Sequence, residues 1–174
     1  MNSAIVNGQL KISEKLKRKT KVAWIASHCH TSSNREGYIK ELQKYISVDV
    51  FGRCGSMKCP KDRCDEHLSN NYMFYLSFEN SLCVDYVTEK FFNILQDNIL
   101  PVVLGGANYS QIAPPKSYID VKNFKNPNHL AHYLNYLIEN HTAYEEYFLW
   151  KEYFQVHSNT VPNAMCQLCE SLNK

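Results

Sequence analysis

Short apolar runs and amphipathic segments alternate along the chain from Lys21 onward. The apolar runs have the length of buried β-strands, and they occupy residues 22–26, 48–51, 73–78 and 99–104. Glycine follows two of them directly, at Gly52 and at Gly105-Gly106, as expected where a strand ends in a turn. A weaker extended segment at residues 117–121 predicts a fifth strand.

The segments between these runs show helical periodicity, at residues 35–46 and 85–96. A further helix is predicted to start at Asn126-Pro127, because asparagine caps helices and proline is favoured at the first helical position. The aromatic-rich residues 144–154 predict a closing helix. Strands that alternate with helices in this way predict an α/β fold, a Rossmann-like parallel sheet with helices on both faces.

Composition supports one packed domain. The chain has 174 residues, 44% of them hydrophobic and 21% charged, which is the range of globular proteins. Residues 1–20 are polar and lysine-rich, and we expect a lead-in or linker there, followed by one domain over residues 21–174. Lysine and arginine number 19 against 17 acidic residues, a net charge of only +2, so nucleic acid is not an expected partner.

Cysteine usage points to the secretory pathway. The chain has seven cysteines and two N-glycosylation sequons, at Asn108 and Asn140. It has neither a membrane-spanning apolar stretch nor the apolar core of a signal peptide. We therefore expect the C-terminal part of a longer lumenal protein, attached to its membrane only through an anchor that lies upstream.

Residues 74–95 are the most informative stretch for function, because they join a buried strand, a polar loop and a helix. On a helical wheel an apolar stripe faces the core, and a separate polar face carries Tyr86, Glu89, Lys90 and Asn93. The face follows the carboxyl end of a strand, where open α/β sheets bind ligands. With Lys90 beside a helix N-terminus, it suits a phosphate group. The alternative is an ordinary solvated helix face.

Two motifs in this stretch, FENS at residues 78–81 and DYVTEK at residues 85–90, resemble the signature of the α1,3-fucosyltransferases, glycosyltransferase family 10. The resemblance extends over about residues 21–169, and its further segments include SHC at 27–29, SNR at 33–35, YFLWK at 147–151 and the terminal CQLC. It implies the donor-binding, C-terminal half of an enzyme with two facing Rossmann-like domains, the GT-B arrangement. The implied donor is GDP-fucose, and the implied location of the parent protein is the lumenal side of the Golgi membrane.

The resemblance also implies roles for individual residues. Arg35 and Lys90 occupy the positions that hold the pyrophosphate, where they stabilise the departing GDP. Glu89 falls where the family binds donor sugar hydroxyls, Tyr86 where it contacts the nucleoside, and Asn80 where a loop contacts the donor. Because the two cations supply positive charge and no DxD-like carboxylate pair is nearby, we expect no metal and no other cofactor.

Other readings of the cysteines and histidines are weaker. His28-Cys29-His30 carries zinc-type ligands, but three adjacent side chains cannot all converge on one ion. Cys54, Cys59 and Cys64 with His67 could form a zinc site, and the terminal C-x-x-C could be a redox pair. Structural disulfides are favoured in a lumenal protein, with these candidates: Cys54, Cys59, Cys64, Cys166 and Cys169. By resemblance, the terminal pair bonds to cysteines elsewhere, some in the N-terminal half.

The inverting reaction of the family needs a general base, which the resemblance places in the other domain. We therefore expect no catalytic base in this chain. A fucosyltransferase acting on GlcNAc of a glycoprotein glycan is the favoured function, and a non-catalytic GDP-fucose-binding fragment or truncated product is the alternative. The segment FGRCG at residues 51–55 and the spaced cysteines after it resemble enzymes that modify the innermost GlcNAc of N-glycans, with Lewis-type enzymes as the alternative.

Overall fold

The computed structural model describes residues 21–60 and 63–156. Its strands are β1 Val22–Ile25, β2 Val48–Phe51, β3 Phe74–Phe78, β4 Leu100–Leu104 and β5 Ile119–Asp120. They form one sheet in the order β2-β1-β3-β4-β5, and all neighbouring strands are parallel. The predicted α/β class with a parallel sheet is confirmed.

Helices cover both faces of this sheet. They are α1 Arg35–Leu42, α2 Cys64–Asn71, α3 Glu89–Gln96, α4 Pro127–Glu139 and α5 His141–Glu145. Residues of α1 and α4 share one buried cluster with one face of the strands. Residues of α2 and α3 pack in clusters with strand residues of the opposite parity, which face the other way. The result is three layers, helix on sheet on helix.

The central strand β3 is buried along its whole length. It lies between β1 and β4 and has helices on both faces, so neither of its faces meets water. This explains the continuous apolar run at residues 73–78, where a strand with one solvated face would alternate. The start of α4 also agrees with its sequence signal, since the Asn126 side chain accepts a hydrogen bond of 3.0 Å from the His129 N–H.

Four helix predictions need correction, the first because the helix predicted over residues 35–46 ends at Leu42. The helix predicted over residues 85–96 begins at Glu89, because Asp85 has φ 59° and Thr88 is extended. The helix α2 lies in what the sequence indicates as a cysteine-rich loop. The closing helix predicted over residues 144–154 is instead α5, which starts earlier, followed by a 3-10 helix, Glu146–Glu152. Asn140 caps α5 by accepting a hydrogen bond of 3.1 Å from the Ala143 N–H.

Some predictions fall on other parts of the chain. The expected lead-in at residues 1–20 and the cysteines Cys166 and Cys169 lie outside the described residues. Asn108 and Asn140 of the two sequons are exposed, and their glycosylation stays a prediction. No helix within residues 21–60 and 63–156 combines the length and the apolar character that a membrane crossing requires.

Candidate functional site

The direction of chain progression across the sheet reverses between β1 and β3. From β1 the chain passes through α1 to β2 on one side, and from β3 it passes through α3 to β4 on the other side. The connections therefore diverge and leave a crevice at the carboxyl ends of these two strands, which is where ligands bind in such sheets. A cavity of about 390 Å³ lies there, between the segment after β1 and the first turn of α3.

Four of the five predicted binding residues line this cavity: Arg35, Asn80, Glu89 and Lys90. The fifth, Tyr86, is not among the lining residues and is 37% exposed in the turn before α3. Its predicted place on the polar face depended on a helix that reaches back to residue 85, and α3 starts later. Asn93, also predicted on that face, does line the cavity.

Arg35 is the first residue of α1, and it is almost completely buried, at 1% exposure. Its guanidinium donates to the Phe78 carbonyl (2.6 Å) at the end of β3 and to the His28 carbonyl (3.1 Å) after β1. The group thus bridges the two strands that flank the crevice, and it also lies 5.3 Å from the centre of the Trp24 ring. Arg35 also forms an ion pair with Glu36, in which Nε lies 3.5 Å from Oε1.

These contacts limit how Arg35 acts. A guanidinium has five N–H donors, and at least three are directed at Phe78, His28 and Glu36. Carbonyl oxygens satisfy the donors without cancelling the positive charge. Arg35 therefore supplies a fixed positive charge to the cavity wall and at most two N–H groups to a bound anion.

Lys90 is the more accessible cation. Its side chain is 22% exposed, and Nζ donates to Thr88 Oγ1 (2.8 Å), Glu79 Oε2 (3.3 Å) and Glu89 Oε1 (3.5 Å). The Glu89 side chain is 70% exposed, so its pairing with Lys90 is loose. Both side chains stand at the start of α3 on the cavity side, where an incoming ligand can exchange with these contacts.

The residue before α3 binds a carboxylate of the chain itself, and the fit of this helix N-terminus to a phosphate stays a prediction. The Thr88 N–H, which precedes the helix, donates to Glu79 Oε1 at 2.8 Å, and the Glu79 side chain is fully buried. The Glu79 carboxylate thus lies beside the positive end of the helix dipole. Lys90 and Arg35 are the lysine and arginine residues that line the cavity.

Asn80 ties the loop after β3 to the segment before α1. Its carbonyl accepts hydrogen bonds from the Ser33 N–H (3.1 Å) and from Ser32 Oγ (3.2 Å). The side-chain oxygen Oδ1 is buried and has no hydrogen-bond partner. Since buried polar atoms are nearly always paired, this acceptor at the cavity wall is available to a ligand donor.

Four polar residues of the cavity were not among the predicted binding residues: Ser27, His28, Asp65 and Tyr75. Asp65 lies in the first turn of α2, a helix that the sequence did not indicate. Tyr75 lies within β3, where its neighbours are apolar; burial raises the pKa of its phenol, which stays neutral and able to donate a hydrogen bond. The alternation of strand residues was the signal available for Tyr75, since it has the opposite parity to Phe74 and Leu76.

Disulfides account for four of the cysteines. Cys29 pairs with Cys54, and Cys59 pairs with Cys64. Both zinc alternatives need free thiolates, but their cysteines are in disulfides. Within residues 21–60 and 63–156, no group of three or more His, Cys, Asp or Glu side chains could hold a metal. Cys29 was not among the predicted disulfide cysteines. Cys83, in the loop before α3, is an exposed free thiol.

Comparison with known proteins identifies the family. The model for "Glycosyltransferase family 10 (fucosyltransferase) C-term" matches residues 15–174. The chain belongs to glycosyltransferase family 10. The resemblance drawn from the FENS and DYVTEK motifs is thus confirmed.

Family 10 relatives extend well beyond the region compared. The chain is 43% identical to Alpha-(1,3)-fucosyltransferase C of Drosophila melanogaster over 158 residues, which is 89% of this chain and 36% of that protein. It is 42% identical to Glycoprotein 3-alpha-L-fucosyltransferase A of the same organism over 171 residues, 93% of this chain and 33% of that protein. The chain therefore spans about a third of the length of these curated relatives.

A solved structure shares the fold. The crystal structure of an alpha1,3-fucosyltransferase with GDP-fucose matches 84% of this chain and 42% of its own chain, with a TM-score of 0.65 and 29% identity. Family membership and the shared fold both apply to the region that contains the crevice between β1 and β3.

Proposed function

We propose that this chain is the donor-binding part of an α1,3-fucosyltransferase and that it binds GDP-fucose in the cavity between β1 and β3. The observation that carries the proposal is that Arg35 and Lys90 both line that cavity in a chain of family 10. Arg35 is the first residue of α1 and Lys90 the second residue of α3, so a diphosphate in the crevice meets positive charge from two helices.

The proposed chemistry follows from this charge. Transfer of fucose with inversion leaves GDP as the departing group, and its β-phosphate gains negative charge as the glycosidic bond breaks. Lys90 neutralises that charge by direct contact, and the buried Arg35 does so mainly through its field, which is strong in a low-dielectric wall. Because these two groups supply the charge, we propose that donor binding needs no divalent metal.

The acceptor substrate and the general base are properties of the whole enzyme, which is longer than the region that the structure describes. We propose GlcNAc of a glycoprotein glycan as the acceptor, with the innermost GlcNAc of an N-glycan favoured, and the Golgi lumen as the location. The two disulfides suit an oxidising compartment. We assign no general base to this chain: Glu79, beside the donor motif, is fully buried and cannot reach an acceptor hydroxyl.

Calorimetric titration of the 174-residue chain with GDP tests the site. Lys90→Ala is expected to weaken binding by about 1.5 to 3 kcal/mol, roughly ten- to a hundredfold, because a charge-assisted contact is lost. Lys125→Ala is the matched control, since this exposed lysine follows β5 and does not line the cavity. Equal GDP affinity in Lys90→Ala and the control would refute the site.

The same titration with EDTA present tests metal independence, and the expected affinity is unchanged. Product analysis on defined glycans, with the whole enzyme, decides between an N-glycan core acceptor and a Lewis-type acceptor.

A further inference from the structure

Glu79 is a buried carboxylate to which the proposed donor binding gives no role. It follows β3 directly, and its backbone N–H still donates to the Leu104 carbonyl of β4 at 2.9 Å. Its side chain has 0% exposure. An ionised carboxylate in such a place is costly unless strong hydrogen bonds satisfy its oxygens. Its partners therefore indicate what the carboxylate holds in place.

Those partners all belong to the segment that carries Lys90. Glu79 Oε1 accepts from the Thr88 N–H at 2.8 Å, and the Thr88 hydroxyl is 2.8 and 2.9 Å from the two carboxylate oxygens. Lys90 Nζ lies 3.3 Å from Oε2 and 2.8 Å from Thr88 Oγ1.

The hydrogen-bond chain has a defined direction. A threonine hydroxyl has one proton, and an ionised carboxylate can only accept. The Thr88 hydroxyl must therefore donate to Glu79, which leaves its lone pairs to accept from the Lys90 ammonium. Glu79 thus orients Thr88, and Thr88 in turn orients Lys90.

A second contact fixes the backbone of the same segment. Ser77 Oγ donates to the Lys90 carbonyl at 2.8 Å, so β3 holds the first turn of α3 both here and at Glu79. Lysine is otherwise a flexible side chain, with four rotatable bonds that must be ordered when it binds a ligand. The Ser77 contact fixes the Lys90 backbone, and the contacts of Nζ with Glu79 and Thr88 restrict the side chain before any ligand arrives.

We propose that Glu79 is a positioning residue that holds the Lys90 ammonium at the cavity wall, directly and through the Thr88 hydroxyl, in the place where an anionic diphosphate is bound. This inference rests on the proposed donor binding. It makes a prediction opposite to that of simple charge repulsion. If the carboxylate acted only by repelling phosphate, its neutralisation would tighten GDP binding; if it positions Lys90, neutralisation weakens it.

A double-mutant cycle on the 174-residue chain tests this, with GDP affinity measured by calorimetry for wild type, Glu79→Gln, Lys90→Ala and the double variant. Glu79→Gln is expected to weaken GDP binding about tenfold when Lys90 is present and by less than about twofold when Lys90 is already removed. Tighter or unchanged binding in Glu79→Gln overturns the proposal. Equal weakening in both backgrounds also overturns it, because the carboxylate would then act on the fold and not through Lys90.

The proposed donor site is tested separately within the same cycle. If Lys90→Ala does not change GDP affinity, the donor site and this inference are both refuted. If Lys90→Ala weakens GDP binding, and Glu79→Gln weakens it equally with and without Lys90, the inference alone is refuted.

Thr88 provides a second test that leaves the buried carboxylate intact. Thr88→Ser keeps the hydroxyl and is expected to bind GDP within about twofold of wild type, and Thr88→Val, which loses it, is expected to bind severalfold more weakly. Equal affinity in these two variants overturns the proposal.

Discussion

At the scale of single residues, α3 has an opposite charge at each end. Glu79 meets its N-terminus, and Lys151 meets its C-terminus, where Nζ donates to the carbonyls of Gln96 (3.4 Å) and Asp97 (2.5 Å). This arrangement complements the helix dipole at both ends. The lysine also lies within 5.6 Å of the centres of the Phe148 and Trp150 rings. The helix that carries Lys90 is thus held by charges from distant parts of the chain.

Lys151 makes stability depend on pH. Burial lowers the pKa of Lys151 from 10.5 to about 8, against an opposing contribution from Asp97. Between these two pKa values the unfolded chain binds a proton that the folded chain has lost, so this residue makes stability rise with pH. The free energy of unfolding measured with urea should increase more between about pH 7.5 and about pH 9.5 in wild type than in Lys151→Met, because methionine cannot titrate. An increase of the same size in both proteins would show that Lys151 keeps an ordinary pKa.

At the scale of elements, the start of α3 shows where sequence periodicity fails. The apolar and polar positions continue helically back to Asp85, yet this residue has φ 59° and the helix begins at Glu89. The reason is tertiary: Glu79 binds the Thr88 N–H and hydroxyl and so fixes an extended residue where the pattern predicts a helical one. A helical wheel compares only residues of one segment, so it does not reveal a hydrogen-bond partner nine residues earlier in the sequence.

Gly106 determines how the loop before α3 packs. A Cβ at this position would collide with the backbone carbonyls of Leu82 and Cys83. Gly106→Ala is therefore expected to displace that loop, to lower the free energy of unfolding by about 1 to 3 kcal/mol and to weaken GDP binding.

Gly37→Ala in α1 is the control for this substitution. There the added Cβ would meet the end of the Asn34 side chain, which can move, and alanine favours a helix. Denaturant unfolding and GDP titration of both variants check the expectation. A Gly106→Ala protein as stable as Gly37→Ala would mean that the loop adapts without cost.

At the scale of the whole molecule, the sequence predicted the layers better than the contacts. The strands and the parallel sheet followed from apolar runs that alternate with helical segments. Five of the eleven residues that line the cavity followed from the motifs and the polar helix face: Arg35, Asn80, Glu89, Lys90 and Asn93. The sequence did not reveal α2 or its Asp65, because Arg63 stands at the N-cap instead of a capping residue and Leu68 is the single buried residue of Cys64–Asn71. Nor could it show that Glu79 binds Thr88 just before α3, since that requires the three-dimensional approach of the end of β3 to the helix.

The two disulfides constrain very different lengths of chain, which leads to the last prediction. Cys29 and Cys54 are 25 residues apart and join the segments after β1 and β2, whereas Cys59 and Cys64 are five residues apart. By the chain-entropy relation, removing the first bond costs about 3.5 kcal/mol of stability and removing the second about 2 kcal/mol. Denaturant unfolding of Cys29→Ala/Cys54→Ala and of Cys59→Ala/Cys64→Ala measures the difference.

The first variant is also expected to bind GDP more weakly than the second. Cys29 adjoins His28, whose carbonyl holds the Arg35 guanidinium at the cavity wall, so release of this bond loosens one side of the proposed donor site. Loss of the shorter disulfide leaves that contact in place. If the two variants lose equal stability and bind GDP equally well, the longer disulfide supports neither the sheet edge nor the position of Arg35.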